Sequence, residues 1–477
     1  MASLPLRNGD LFWQVRTGEI ALSSGRMPDR DSYSYTIEGA RWNNHEWIPE
    51  VLAAALYRAA GWGGFRLFLV VFFLGISSAL TIVLLRRVGV PLTFLVLVFF
   101  LLWCKYKMLP APQALSLGMF LAAFLIFRGR RLAESPLRWA FLALWMLVWG
   151  NTTAESIMFL PFVVLDQVLV RLSNATREAG ALPRFSRHAS LLGLVCVLPF
   201  VNPPWSSVFE YATAGTLANR SVNEEFLPLW ASSPLYTTQE RFVTAMVMLV
   251  FLAWAGAVLA RSRERWQALR DVSPGLLAVV LALLFQRNLW LMVVPTARLA
   301  CAVARWAVTS QRRVLVGGSA LVVGACLFAS YSFRLGWSPQ ASLVKLTSQS
   351  YRAQHLDKTT IPVACVEALE QYPAIRRVYT VRLWASYIIW RVPRVKVYID
   401  GRNLEYPESV FKAYVDIWDE QPDALALLDA SRTDAVIAFP EWGDGLGVGL
   451  NPWQKVMQDG KCALFVRRSP LAFPSKS

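Results

Sequence analysis

The chain has 477 residues, 55% hydrophobic and 17% charged, with 20 Trp, 27 Phe and a mean hydropathy of +0.39. Soluble domains carry about 25% charged residues, so polar surface is scarce for a water-soluble protein. The net charge of +16 does not point to nucleic acid, because the arginines sit in short clusters between apolar runs, where membrane orientation bias accounts for them.

Residues 9–50 are polar, aromatic and acidic, with Asp10, Glu19, Asp29, Asp31, His45, Glu46 and Glu50 set among Trp13, Trp42 and Trp47. Disordered tails are poor in aromatics. Residues 1–64 are therefore expected to form a folded cap on a membrane surface and to carry the chemistry. Residues 1–20 lack the apolar core of a cleavable signal peptide.

Apolar runs then recur: Phe65–Leu85, Pro91–Cys104, Leu109–Phe127, Leu137–Trp149, Ile157–Leu172, Ala189–Val201, Phe242–Ala260, Pro274–Phe285, Leu289–Val308 and Val314–Phe333. They predict about ten membrane helices over residues 65–333. Several are short for a full span, which suits helices buried in a bundle or broken around a cavity. Basic clusters at Arg86–Arg87, Arg128–Arg131, Arg171 to Arg187, Arg261 to Arg270 and Arg312–Arg313 follow every second run, so those loops are expected to be cytoplasmic. The cap, the Asn151 turn, residues 202–239 and everything after Arg334 then face outward. An external cap needs either export by the first helix or a preceding segment.

Residues 334–477 alternate strand-like runs (Val378–Val381, Val395–Ile399, Ala435–Phe439, Ala463–Val466) with helical ones (Pro362–Gln371, Pro407–Trp418, Asp423–Leu428), the pattern of a small α/β domain. Cys104, Cys196, Cys301 and Cys326 lie in apolar runs and are expected to pack as small hydrophobes. Cys365 and Cys462 can pair if the tail lies outside the cytoplasm. The expected fold class is a polytopic α-helical membrane protein with a C-terminal extracytoplasmic α/β domain.

Several motifs recur in order. These are Asp10 with Trp13, Gly25 to Pro28, Asp31 with Ser34–Tyr35, Trp42, and His45–Glu46–Trp47; then Asn202–Pro203, Arg287–Asn288, Tyr387–Ile388–Ile389–Trp390 and Ile399–Asp400–Gly401–Arg402. In this order the chain resembles bacterial integral membrane proteins related to the GT-C glycosyltransferases, over nearly its whole length. The resemblance implies a GT-C-like fold in the plasma (inner) membrane, a polyprenyl-phosphate sugar donor and an active site at the outer face. By likeness to the protein mannosyltransferases and the lipid A aminoarabinose transferase, it places an acidic base at Asp10. The chain departs from the pattern twice. Relatives often carry Trp-x-Asn-x-His at the outer turn, where this chain has Trp149-Gly150-Asn151-Thr152-Thr153; they also begin with a membrane helix before the Asp, and none precedes Asp10 here.

Transfer from such a donor needs a base for the acceptor hydroxyl and cationic groups for the departing phosphate. Asp10 is the candidate base; its plainer role is to cap the helix that starts near Phe12. His45 and Glu46 are candidates for a second acid/base or an acceptor contact. Trp13, Asp31 and Trp42 are candidate substrate contacts, and the plainer reading of the aromatics is an interfacial Trp belt. Asp29-Arg30-Asp31 has the spacing some sugar transferases use for a divalent metal, although acidic turns are common beside a proline such as Pro28; the cofactor stays unassigned. Arg287 is a candidate phosphate contact and Arg298 a weaker one, with ion pairs to Glu155 or Asp166 as the alternative. The loop holding Asn202 and Glu225 is long enough for a lid over the lipid donor or for a surface amphipathic helix. Asp400–Gly401–Arg402 follows a strand and is either a ligand-binding turn or a plain one.

The expected function is transfer of a sugar from a polyprenyl-phosphate carrier to a lipid, glycan or protein acceptor. The alternative is a catalytically degenerate GT-C-fold protein serving as an assembly partner in a membrane complex. A transporter would show paired broken helices in two halves, and the sequence shows no such pairing.

Overall fold

The computed structural model describes residues 9–104, 112–126, 135–175, 185–202, 238–261, 265–284, 286–306, 310–334, 361–402, 405–443 and 452–468. The fold is mostly helical with one small sheet. The chain divides into two compact units, one of Phe68–Arg352 with Met1–Ala2 and one of Ser3–Leu67 with Ala353–Ser477.

The first unit is helical. Helix α2 (Trp47–Cys104) runs through the division and is followed by α3 (Pro112–Ile126), α4 (Pro136–Gly150), α5 (Leu160–Ala175), α6 (Phe185–Val197), α7 (Thr238–Arg261), α8 (Arg265–Leu284), α9 (Val293–Trp306) and α10 (Ser310–Arg334). Two of the predicted apolar runs, Phe65–Leu85 and Pro91–Cys104, lie within α2 instead of in two separate helices. Gly89 adopts φ 75° inside it and Pro91 follows. Among the described residues, Trp47–Leu101 and Arg265–Leu284 are long and apolar enough to cross a membrane, and shorter apolar helices accompany them.

Two buried amides of this unit bind backbone carbonyls at the end of α4. Asn151 Nδ2 donates to the carbonyls of Leu147 and Val201, both at 2.8 Å, and Asn202 Nδ2 donates to the carbonyl of Gly150 at 3.2 Å. The two asparagines thus clasp the turn after α4 to the end of the segment following α6. Carboxylates meet arginines along helices: Asp166 pairs with Arg270 at 3.3 Å, and Asp271 with Arg305 and, at 4.0 Å, with Arg298. Arg298 thus has a carboxylate partner in Asp271, which is neither of the two expected residues, Glu155 and Asp166.

The second unit joins the leading segment to the C-terminal strands. Helix α1 (Leu11–Ser24) ends on Gly25, whose φ of 68° is the left-handed cap a glycine supplies. After α11 (Val363–Glu370) come β1 (Arg377–Thr380), α12 (Arg382–Arg391), β2 (Lys396–Val397), α13 (Glu408–Trp418), α14 (Ala424–Ala430), β3 (Ala435–Ala438), β4 (Trp453–Gln458) and β5 (Ala463–Arg467). The sheet order is β2-β1-β3-β5-β4, parallel from β2 to β3 and antiparallel beyond. Strand β3 is AVIA, buried at every position, as a central strand covered on both faces should be. The leading segment extends this sheet: Tyr35 N donates to Val397 O at 3.0 Å and Val397 N to Tyr33 O at 2.9 Å, beyond the β2 edge. Cys365 and Cys462 form a disulfide with Cα atoms 6.3 Å apart, realising the pairing the sequence allowed.

Candidate functional site: a carboxylate cluster built on Arg402

The predicted residues Asp10, Trp13, Asp31, Trp42, His45 and Glu46 all fall in the second unit. Helix α1 sets the first two. Its N-terminal turn packs on α12, where Trp13 N donates to Ser386 Oγ at 2.8 Å. Phe12 meets Tyr387 and Trp62 edge-on, with ring centres 5.1 and 5.3 Å apart. Further along, the helix crosses the start of α2 so closely that a Cβ on Gly18 would lie 2.0 Å from Glu50 O.

Asp10 occupies the N-cap position, yet its side chain makes no capping hydrogen bond. It turns instead toward Trp13, whose Nε1 donates to Asp10 Oδ1 at 3.3 Å, and it rests against Gly401. The carboxylate is half-buried.

Beside it lies a charged lock. After β2 the chain turns through Asp400, Gly401 and Arg402. Arg402 N donates to Asp400 Oδ1 at 2.9 Å, the local bond that shapes an Asx turn. The guanidinium then closes back: Nε donates to both Asp400 oxygens at 2.9 and 3.1 Å, and Nη2 to Asp400 Oδ2 at 2.7 Å and to Asp31 Oδ1. Asp31 is held from its own side by Ser34, whose N and Oγ donate to Oδ2 at 3.0 and 2.5 Å. Arg402 is 6% exposed and Asp400 0%, so the charges are out of water and survive there because each is paired. The flat face of the guanidinium is covered as well, 4.6 Å from the Trp42 ring centre and 5.1 Å from that of Tyr33.

This arrangement sets the roles the other candidates can play. Asp31, Trp13 and Trp42 are buried at 4%, 7% and 4% exposure, and Trp13 and Trp42 pack on each other at 5.9 Å. Direct stacking on a sugar would require these contacts to open. The Asp29-Arg30-Asp31 spacing is absorbed the same way, because Asp31 faces Arg402. Among the described residues, no group of three or more His, Cys, Asp or Glu is arranged to hold a metal ion.

His45 and Glu46 adjoin each other, with Nε2 3.9 Å from Oε1 and side chains 16% and 15% exposed. They lie at the entry to α2, where Asn44 Oδ1 accepts from Glu46 N at 3.2 Å and Asn44 Nδ2 donates to Glu50 Oε2 at 2.5 Å. Glu405, on the far side of the turn, has its carboxyl pushed up to about 7 by burial, against the opposing pull of Arg402 and of the Asn43 backbone N–H.

The remaining candidates belong elsewhere. Asn202 lies in the first unit, buried, with its amide in the clasp on Gly150. Arg287 lies in a 3₁₀ turn, Gln286–Met292, of that same unit, and Glu225 falls outside the described residues. Asp31 and Arg402 meet across 371 residues, a pairing the sequence does not announce; Gly401 stands there only as part of a turn, and Ser386 does not stand out. The two motifs that meet, Asp31-x-x-Ser34 and Asp400–Gly401–Arg402, were both visible, but nothing in one sequence joins them.

No protein-family model matches the sequence, and no curated protein matches it. Among solved structures, the oligosaccharyltransferase of Archaeoglobus fulgidus tethered to an acceptor peptide containing the NVT sequon aligns at TM-score 0.53 and 10% identity, over 92% of this chain and 66% of that one. The chain thus spans just under two thirds of that enzyme's length. The same organism's AglB, in complex with an inhibitory peptide and a dolichol-phosphate, aligns at TM-score 0.52 and 9% identity, over 99% and 71%. ArnT from Cupriavidus metallidurans, bound to undecaprenyl phosphate, aligns at TM-score 0.48 and 14% identity, over 99% and 96%. At these identities the likeness speaks to architecture alone: the chain shares the fold of the archaeal oligosaccharyltransferase.

Proposed function

We propose that the chain is a multi-pass membrane glycosyltransferase that moves a sugar from a polyprenyl-phosphate carrier to a lipid, glycan or protein acceptor at the outer face of the plasma (inner) membrane. One observation carries the reading. On a GT-C architecture, Asp10 stands at the head of the first helix with its carboxylate held by Trp13 and against Gly401. In the proposed step, Asp10 takes the proton of an acceptor hydroxyl. The oxygen bonds to the anomeric carbon, and the carbon–oxygen bond to phosphate breaks, its electron pair leaving on the polyprenyl phosphate.

Arg287 is the proposed phosphate contact, a task suited to a guanidinium fork. His45 and Glu46 are proposed for the acceptor side, and the loop of Asn202 and Glu225 for the lipid donor. Trp13, Trp42 and Asp31 serve in this reading by shaping the cluster. No step is routed through a metal.

The membrane setting draws support from the first unit, whose helices leave Val71, Leu74, Phe141, Leu144, Leu249, Val314 and Leu315 largely exposed. Such a surface suits lipid better than water. About ten membrane helices remain the proposal for that unit. The Cys365–Cys462 disulfide suits a C-terminal region outside the cytoplasm.

A second reading, a degenerate GT-C protein that assembles with a membrane partner, is favoured by Thr153. Where relatives often carry His, this hydroxyl accepts from Glu155 N at 2.9 Å and caps a 3₁₀ turn. The test is purified protein in detergent with a polyprenyl-phosphate hexose, following release of free polyprenyl phosphate. Catalytic release supports the transferase. Absence of both lipid binding and release, together with a stoichiometric co-purifying partner, would overturn it in favour of the second reading.

A further inference from the structure

Gly401 raises a question its backbone does not answer. Its φ lies outside the left-handed region, so no conformational demand calls for glycine there. What excludes a side chain is space: a Cβ at Gly401 would sit 1.8 Å from Asp10 Oδ1 and 3.0 Å from its Cγ. The residue is small because the Asp10 carboxylate occupies the place a methyl would take. The slot is also fixed on both flanks. Asp400 and Arg402 bracket Gly401 and are bound to each other through three side-chain contacts and one backbone contact. Tyr406 OH accepts from Asp400 N at 3.2 Å, and Asp31 ties Arg402 to the leading segment.

We propose that the Asp400–Gly401–Arg402 turn is a positioning element for Asp10, with Gly401 providing the slot for its carboxylate and the Asp31–Arg402–Asp400 lock holding that slot in register with α1. This rests on Asp10 acting as base in the proposed transfer. Gly401, Arg402 and Asp31 touch no reacting atom; they act through Asp10. The charged lock is then kept for placement, since a buried ion pair adds little net stability over apolar packing of the same volume.

The test compares Asp10→Asn, Gly401→Ala and Trp13→Phe in donor turnover. Trp13→Phe keeps the ring but removes the indole N–H that reaches Asp10, and so stands in if Gly401→Ala fails to fold. The expected result is a kcat lowered about tenfold or more in both positioning variants, because small misplacements of a catalytic group cost that much. Donor KM should stay within about twofold, and the acid limb of the pH profile of kcat should move, since the environment of the base has changed. Full turnover in Asp10→Asn would sink the base assignment itself. Loss in Asp10→Asn with unchanged kcat and pH profile in the positioning variants would overturn the positioning role alone. So would a loss in those variants that appears only as a raised KM.

Discussion

The Asn151–Asn202 clasp of the helical unit and the Arg402 lock of the other unit bury polar groups in opposite ways. In the helical unit the Asn151–Asn202 clasp sets neutral amides against backbone carbonyls. In the other, a full guanidinium sits at 6% exposure between two carboxylates. A neutral amide bonded to a carbonyl loses little when moved out of water, whereas a lone buried charge loses a great deal. The first arrangement tolerates loss of one partner; the second does not. The charged lock also flanks Gly401, against which the Asp10 carboxylate rests.

The sharpest way to break this contrast is Arg402→Met. It leaves Asp31 and Asp400 buried without a counter-charge and is expected to cost roughly 3–5 kcal/mol, read as a shift of the denaturant midpoint of the detergent-solubilised protein. Adding Asp31→Asn and Asp400→Asn should restore part of that loss. Removing the disulfide with Cys365→Ala and Cys462→Ala comes next. It frees a loop of 97 residues and should cost roughly 2–4 kcal/mol, with the same midpoint reached by the native protein under reducing agent.

Glu405 adds a pH dependence. Its carboxyl is raised by burial to about 7 in the fold, so below the ordinary carboxylate range it is protonated in both states. As pH rises from about 4.5 to about 7 the unfolded chain gives up its proton first, and stability falls. The fall should be on the order of 2 kcal/mol once partial exposure is allowed for. Glu405→Gln should flatten it, as followed by thermal melts between pH 5 and pH 8. The smallest effect is expected from Asn202→Ala, about 1–2 kcal/mol for one lost neutral hydrogen bond. A cost equal to that of Arg402→Met would erase the contrast between the units.

Much of the architecture is legible in residue order. The expected runs Val378–Val381, Ala435–Phe439 and Ala463–Val466 overlay β1, β3 and β5, because continuous β-branched and apolar stretches bounded by polar turns leave few alternatives. Strand β4 escaped the reading because WQKVMQ exposes much of its length and so lacks a clear apolar period. The two runs Phe65–Leu85 and Pro91–Cys104 are separated in sequence by Arg86–Arg87, yet α2 continues through that basic pair, with Gly89 at φ 75° and Pro91 inside it. The site was legible as a set of residue types and illegible as a geometry. Asp10, Asp31, Trp13 and Trp42 stand out together in the sequence, yet the arginine that pairs with Asp31 and lies over Trp42 looks there like part of a turn. Charge pairing over 371 residues leaves no periodic trace, and a glycine kept small by a distant carboxylate looks like any turn glycine.

The central claim is that Asp10 carries the proton of the reaction, and the pH dependence of single-turnover transfer tests it most directly. With a polyprenyl-phosphate hexose bound at saturation, the native protein should show an acid limb governed by one carboxylate. Asp10→Asn should lose that limb along with a factor of about 10²–10⁴ in rate, at unchanged lipid affinity. An Asp10→Asn protein that transfers at the native rate, with the same acid limb, would contradict the account.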